Sequence, residues 1–212
     1  MRFLVTAGPT REPLDPVRYL SNRSSGRMGH AVAAALRDAG HEVVLVRGPV
    51  ASAPPDGVEV HDVETADEML AACLEAWPRC DGVFGVAAVA DYRPKRRSPD
   101  KLKRSGENAV LELVPNPDVL ATLARDRGAR LAVGFALESR EGEAEARHKM
   151  LDKGLDVIAL NGPEAQGAER ARLLLLARDG RRQAVGPAPK EDLARALVAF
   201  ALDRSSGEEV AS

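Results

Sequence analysis

Apolar and polar positions along the chain follow two periods in turn. Short apolar runs at residues 2–6, 42–46, 58–63, 81–90, 130–136 and 156–160 have the length of strands. The run at 81–90, DGVFGVAAVA, lacks the polar alternation of a half-exposed sheet, as a buried parallel strand does, and predicts the centre of the sheet. Stretches of helical period lie between these runs. An alanine-rich run covers 31–36, and a second helix opens at the capping-box pair Thr65 and Glu68 and stops before Pro78. A third is opened by Asn116-Pro117-Asp118, with Asn116 as N-cap and Pro117 at the first helical position, and ends near Arg127-Gly128. A fourth covers 141–153 and is closed by Gly154, and a last covers 190–203. Two further short runs flank Asp179-Gly180, a hairpin signal. The alternation predicts an α/β fold with a doubly wound, mostly parallel Rossmann-like sheet and an appended β-hairpin or flap. One domain is expected over residues 1–204, with 205–212 as a disordered tail.

The connection between the first strand and the first helix breaks the usual economy of such folds. βα loops commonly run to about 2 to 6 residues, and this one continues through LDPVRYLSNRSSGRMG. Ser24, Ser25, Gly26 and Gly29 stand where the helix begins, and small residues there leave backbone N–H groups free to face an anion. A phosphate ligand is predicted, the plainer alternative being Ser25 as a simple N-cap. The central strand is expected to run to Ala90, which puts Asp91 just beyond its carboxyl end, where open α/β sheets bind ligands. Residues 93–106 carry seven basic side chains, including Lys101, and read as a basic hairpin or flap whose alternative is a solvated surface ribbon. Lys149 and Lys153 fall four apart on one helix face.

Composition removes several function classes. In 212 residues, 44% apolar and 29% charged with a net charge of -2, nothing pulls the protein toward nucleic acid or a membrane surface. Aromatic residues at 3% disfavour base stacking on rings. Cys73 and Cys80 are outside any CxxC spacing and predict buried thiols of a reducing, cytoplasmic compartment, and no run approaches the ~18 apolar residues of a membrane span. The dinucleotide fingerprint G-x-G-x-x-G and the P-loop are both missing, although Arg47 after the second strand leaves an NADP-dependent reductase as an alternative reading. A non-catalytic nucleotide-binding module is a second alternative. The four histidines match no catalytic pattern and are expected to be structural or solvent-facing. The phosphate-compatible groups, namely Ser24, Ser25 and Gly26, Asp91, Lys101, Asn116-Pro117-Asp118, Lys149 and Lys153, are predicted to meet at one edge of the sheet. Lysines there neutralise a triphosphate, and Asp91 can hold a Mg²⁺ that bridges its oxygens.

TAGPTREPLDPVRYLSNRSSGRMG, AAVADYRP, KLKR, PNPD, GFALE and the Lys149/Lys153 pair occur in the same order as in phosphopantothenate-cysteine ligases of bacterial coenzyme A biosynthesis, which the chain resembles from Phe3 to its last helix. The resemblance implies a ligation of 4′-phosphopantothenate with cysteine. The carboxylate attacks the α-phosphate of CTP to give an acyl-cytidylate and pyrophosphate, and the cysteine amine then displaces CMP. It implies Asn22 at the acyl-nucleotide, where its amide can donate to an acyl or phosphate oxygen, with Arg18 near the substrate and Lys101 on a closing flap. For the nucleotide it implies backbone atoms of Gly85, Val86 and Ala87, Asp91, the helix start Pro117, Asp118, Val119 and Leu120, and Phe135, Lys149 and Lys153, beside the Ser24, Ser25 and Gly26 already read from the helix start. Arg27 stands where the family has lysine, which keeps the charge. Relatives are commonly homodimers through an appended hairpin, and many are the C-terminal half of a bifunctional protein whose N-terminal half is a flavin-dependent decarboxylase. The expectation is therefore a free-standing ligase or the ligase domain of such a protein, with no flavin in this chain.

Overall fold

The computed structural model describes residues 1–104, 106, 108–137, 142–162 and 170–203. The chain begins with β1 (Arg2–Ala7), a small antiparallel ribbon of β2 (Arg11–Pro13) and β3 (Tyr19–Ser21), α1 (Arg27–Asp38), β4 (Glu42–Arg47), β5 (Glu59–Asp62) and α2 (Ala66–Ala76). It continues through β6 (Gly82–Gly85), β7 (Tyr92–Pro94), β8 (Leu113–Pro115), α3 (Val119–Arg125), β9 (Leu131–Leu137), α4 (Gly142–Asp152) and β10 (Val157–Asn161). A hairpin of β11 (Arg170–Ala177) and β12 (Arg182–Pro189) leads into α5 (Lys190–Leu202).

The eight-stranded sheet has the order β12-β11-β10-β9-β6-β1-β4-β5, parallel from β10 to β5, with the hairpin added antiparallel at one edge. Strand succession reverses between β1 and β6, which makes the carboxyl ends of those two strands the switch point where a ligand crevice forms. One face is covered by α1 and α5, whose buried residues Val32, Leu36, Leu193 and Leu197 join Phe3, Val5 and Phe84 in one core. The other face is covered by α2, α3 and α4 over Leu4, Val44, Val83 and Ile158. The alternation of faces along β1, Phe3 and Val5 to one side and Leu4 to the other, is the period of two that a doubly covered strand requires.

Three expectations change in the structure. The central strand ends at Gly85 and not at Ala90. Residues 86–89 are half-buried because they form the wall of a cavity, so their apolar character serves a loop that lies against the sheet end. The N-cap of α3 is Asp118, which accepts from Ala121 N–H at 2.9 Å; Asn116, held extended by the proline that follows it, bonds elsewhere. Gly26, at φ 73° and without a side-chain cap, precedes α1, so Ser25 is not its cap. The Thr65/Glu68 capping box, Gly154 at φ 69° and the Asp179-Gly180 turn are all present. The start of the fourth helix at Glu141, Glu138 of the GFALE motif and the tail at 205–212 lie outside the described residues.

Candidate active site

A cleft of about 1220 Å³ opens at the switch point. Its floor is the carboxyl ends of β1 and β6 at Thr6, Val83 and Gly85, and its walls come from loops on both sides of the sheet. Two threonines shape it. The buried Thr6 hydroxyl accepts from the N–H groups of Val86 and Ala87, each at 3.2 Å, and the buried Thr10 hydroxyl accepts from Ala90 N–H at 3.0 Å. With Ala88 N–H on Gly8 O at 2.8 Å, these bonds peel the chain off the sheet after Gly85 and hold it as a rim. Gly85 leaves room for the Leu120 side chain, whose terminal methyl would stand 2.7 Å from a Cβ there and would have to shift.

The loop between β1 and α1 supplies the opposite rim. Gly8, at φ 75°, turns the chain out of β1, and Gly29 lets α1 sit on the strand, because a Cβ there would meet that of Ala7 at 2.4 Å. These are the turning and close-packing roles that glycines play in a dinucleotide loop, here separated by the excursion through β2 and β3. Buried Glu12 fixes the excursion by accepting from Ala66 N–H at 3.0 Å, at the start of α2. Asn22, on the far side of the ribbon, reaches across the cleft: its Nδ2 donates to Val89 O at 2.9 Å and Ala88 O at 3.3 Å. These contacts tie the amide of Asn22, which lines the cleft, to the opposite rim.

Of the predicted site residues, Asn22, Ser24, Ser25, Gly26, Gly85, Val86, Ala87, Asp91, Pro117, Asp118, Val119, Leu120, Phe135, Lys149 and Lys153 all line this one cleft. Arg18 and Lys101 do not line it. Arg18 forms a two-pronged bond to the buried Asp15 carboxylate at 2.6 and 2.9 Å and donates to Leu102 O at 2.7 Å. Asp15 also accepts from Leu102 N–H at 3.1 Å, so the pair clasps the backbone next to Lys101. The Arg18 guanidinium and the N–H groups of Val17, Leu102 and Arg18 outweigh the cost of burial and hold the Asp15 carboxyl well below the usual carboxylate range. The basic segment is based on the β7/β8 pair, and Lys101 on it is exposed.

Lys149 on α4 and Lys153 just after it differ. Lys153 pairs with Asp118 at 2.6 Å, whereas no ion pair or hydrogen bond engages the Lys149 ammonium among the described residues. Burial alone would raise the Asp118 carboxyl, but Lys153 and the Ala121 N–H prevail and set it below its ordinary value. Asn116 ties flap and rim together, donating to Ala90 O at 2.7 Å and accepting from Arg93 at 2.9 Å. Arg47 is committed to Asp62 at 2.6 Å and to Ser52 O at 3.0 Å, so it is not free for a ribose phosphate. Asp91 is exposed on the rim, and no group of three metal-binding side chains occurs among the described residues. A single carboxylate fits a Mg²⁺ that arrives on phosphate oxygens, not a cation held by protein alone. Burial pushes the Cys73 thiol up to about 12 and raises that of Cys80, which leaves both protonated at neutral pH.

Residues 1–203 match the family model described as the DNA/pantothenate metabolism flavoprotein C-terminal domain. The chain belongs to this family. The coenzyme A biosynthesis bifunctional protein CoaBC of Escherichia coli (strain K12) is 46% identical over 165 residues, covering 76% of this chain and 41% of that protein. CoaBC of Haemophilus influenzae is 38% identical over 204 residues, covering 94% of this chain and 51% of that protein. The chain thus spans about half the length, or less, of these curated relatives. A crystal structure of the C-terminal domain of CoaBC aligns with a TM-score of 0.82 at 36% identity, covering 94% of this chain and 92% of that one.

Sequence reasoning missed Thr6, Thr10, Asp15 and Lys190. The threonines look like ordinary strand-end residues, and only their partners reveal the role. Asp15 stands three before Arg18, a readable ion-pair spacing, but its bond from Leu102 N–H is a contact between distant parts of the chain.

Proposed function

We propose that the chain is a phosphopantothenate-cysteine ligase acting in coenzyme A biosynthesis: it activates the carboxylate of 4′-phosphopantothenate with CTP and joins it to cysteine. The observation that carries this reading is the convergence on one cleft of a helix start without a side-chain cap, Asn22 and Lys149, whose ammonium has no ion pair or hydrogen bond among the described residues. A carboxylate anion is a poor electrophile, so amide formation needs an anhydride with a good leaving group. Attack of a carboxylate oxygen on the α-phosphorus expels pyrophosphate and leaves an acyl-cytidylate. Attack of the cysteine amine on the acyl carbon then expels CMP, which carries the bridging oxygen, and the amine loses a proton.

The protein's part is positioning and charge. The first turn of α1 directs N–H groups at phosphate oxygens and Lys149 adds a cation; Asp91 is the residue that would hold a Mg²⁺ arriving with the triphosphate, which would neutralise phosphate charge. The Asn22 Oδ1 accepts from the cysteine amine and aligns its lone pair with the acyl carbon. Lys101 closes over the reacting groups from the flap, whose stem is clasped by Asp15 and Arg18. The Rossmann-like switch point also suits a reductase, but the commitment of Arg47 to Asp62 speaks against that alternative. A homodimer fits the exposed apolar side chains of the two ribbons, among them Val17, Tyr19, Tyr92, Leu111 and Leu113. The reading further places the protein in the cytoplasm, with a phosphopantothenoylcysteine decarboxylase as fused domain or partner. The test is pyrophosphate release in the presence of CTP: it should require phosphopantothenate, and replacing CTP with ATP, GTP or UTP should reduce it. Hydride transfer from NADPH, or CTP binding with no turnover, would overturn the proposal.

A further inference from the structure

Lys190 is the first residue of α5, nine-tenths buried, and lines the cleft. Three features of its placement are unfavourable for a cation. It sits at the positive end of a helix, where carboxylates are preferred. It is near the Arg27 guanidinium, which adds repulsion. Among the described residues no carboxylate or other acceptor pairs with its ammonium. Burial and Arg27 both push its protonation downward, with only the neighbouring Glu191 opposing. A lysine kept where local preference, burial and neighbouring charge all oppose it marks a place for a compensating anion, and no described residue supplies one.

The second observation is the adjoining end of α1. α1 and α5 pack against each other on one face of the sheet, and the α1 start at Gly26 has no side-chain cap, so its first N–H groups are open to the same cavity. Lys149 and Lys153 enter from the opposite helical layer. We propose that Lys190 and the first turn of α1 form a phosphoryl-anion subsite in the cleft, holding phosphate oxygens between the two helix ends. It deepens the ligase reading and rests on it for the identity of the natural ligand, a polyphosphate chain or a phosphate monoester. The anion-binding claim itself does not depend on that reading.

The experiment is calorimetric titration of wild type, Lys190→Met and Lys190→Arg with tripolyphosphate, then with the pairs CTP and CMP, and 4′-phosphopantothenate and pantothenate. Loss of a buried charge-assisted bond should weaken tripolyphosphate binding roughly tenfold to hundredfold in Lys190→Met, with most of it retained in Lys190→Arg. A loss for CTP with CMP unchanged assigns the subsite to the outer phosphates of the nucleotide. A loss for phosphopantothenate with pantothenate unchanged assigns it to the substrate's phosphate. Tripolyphosphate affinity within about twofold of wild type in Lys190→Met overturns the proposal. So does an equal loss for all four compounds accompanied by a lowered melting temperature, which would make Lys190 a structural residue only. If tripolyphosphate binds through Lys190 and no pyrophosphate is formed from CTP, the subsite stands and the ligase reading falls.

Discussion

The rim of the cleft rests on the Thr6 hydroxyl, and replacing it with an isostere isolates that contribution. Thr6→Val keeps the shape of a buried side chain and removes the acceptor for two N–H groups. Val86 N–H retains Thr6 O at 3.2 Å, so one donor, Ala87 N–H, loses its partner. An unmet donor costs about 1 to 3 kcal/mol; Ala87 is only half-buried, which places the loss near 1.5 kcal/mol. For a domain of this size that amounts to roughly 3–6 °C in melting temperature. The rim would also be less ordered before binding, weakening nucleotide affinity by roughly fivefold. Differential scanning calorimetry and titration with CTP measure both, and Thr6→Ser, which keeps the hydroxyl, should behave close to wild type. If Thr6→Val melts within about one degree of wild type and binds CTP equally well, the threonine does not hold the loop.

Other consequences are equally specific. Asn22→Ala should permit pyrophosphate release while slowing amide formation on the order of a hundredfold, so that acyl-nucleotide accumulates; wild-type turnover in that variant would falsify the role of Asn22. Lys149→Met should raise the KM for nucleotide more than Lys153→Met does, because Lys153 is already spent on Asp118; steady-state kinetics showing the reverse order contradicts this. Lys101→Gln should lower kcat with little change in nucleotide binding, measured by comparing turnover with calorimetric affinity. Asp15 titrates below its ordinary 3.8, so its carboxylate stabilises the fold at pH values above about 4 and loses that contribution as pH falls through the folded value. Asp15→Asn should therefore be destabilised at neutral pH, with the gap to wild type closing in strong acid, and a gap that stays constant in urea melts across that range refutes the clasp.

The main architecture was readable from periodicity because each helix and parallel strand carries its own apolar face, as the capping box at Thr65 and the Asp179-Gly180 turn illustrate. The failures share a cause. Residues 86–89 are apolar for a reason outside the local pattern, since Thr6 and Gly8 capture their backbone from another strand. Asn116 passed for a cap because its side chain is chemically able to be one, yet the acceptor and donor it meets belong to the flap and the rim. The β2/β3 ribbon has strands of three residues, too short to show alternation, and depends on Glu12 reaching the α2 start. The site was legible as a set of phosphate-compatible residue types. Which of them face inward, with Arg18 turned to Asp15 and Lys190 turned to the cleft, is decided by tertiary contacts.

The central claim is that the cleft activates a carboxylate by nucleotidyl transfer. It is tested most directly by supplying phosphopantothenate labelled with ¹⁸O in its carboxylate, together with CTP and cysteine, and analysing the products by mass spectrometry. The account predicts CMP carrying one labelled oxygen and pyrophosphate carrying none. Label in an inorganic phosphate product, or amide formed with unlabelled CMP, would contradict it.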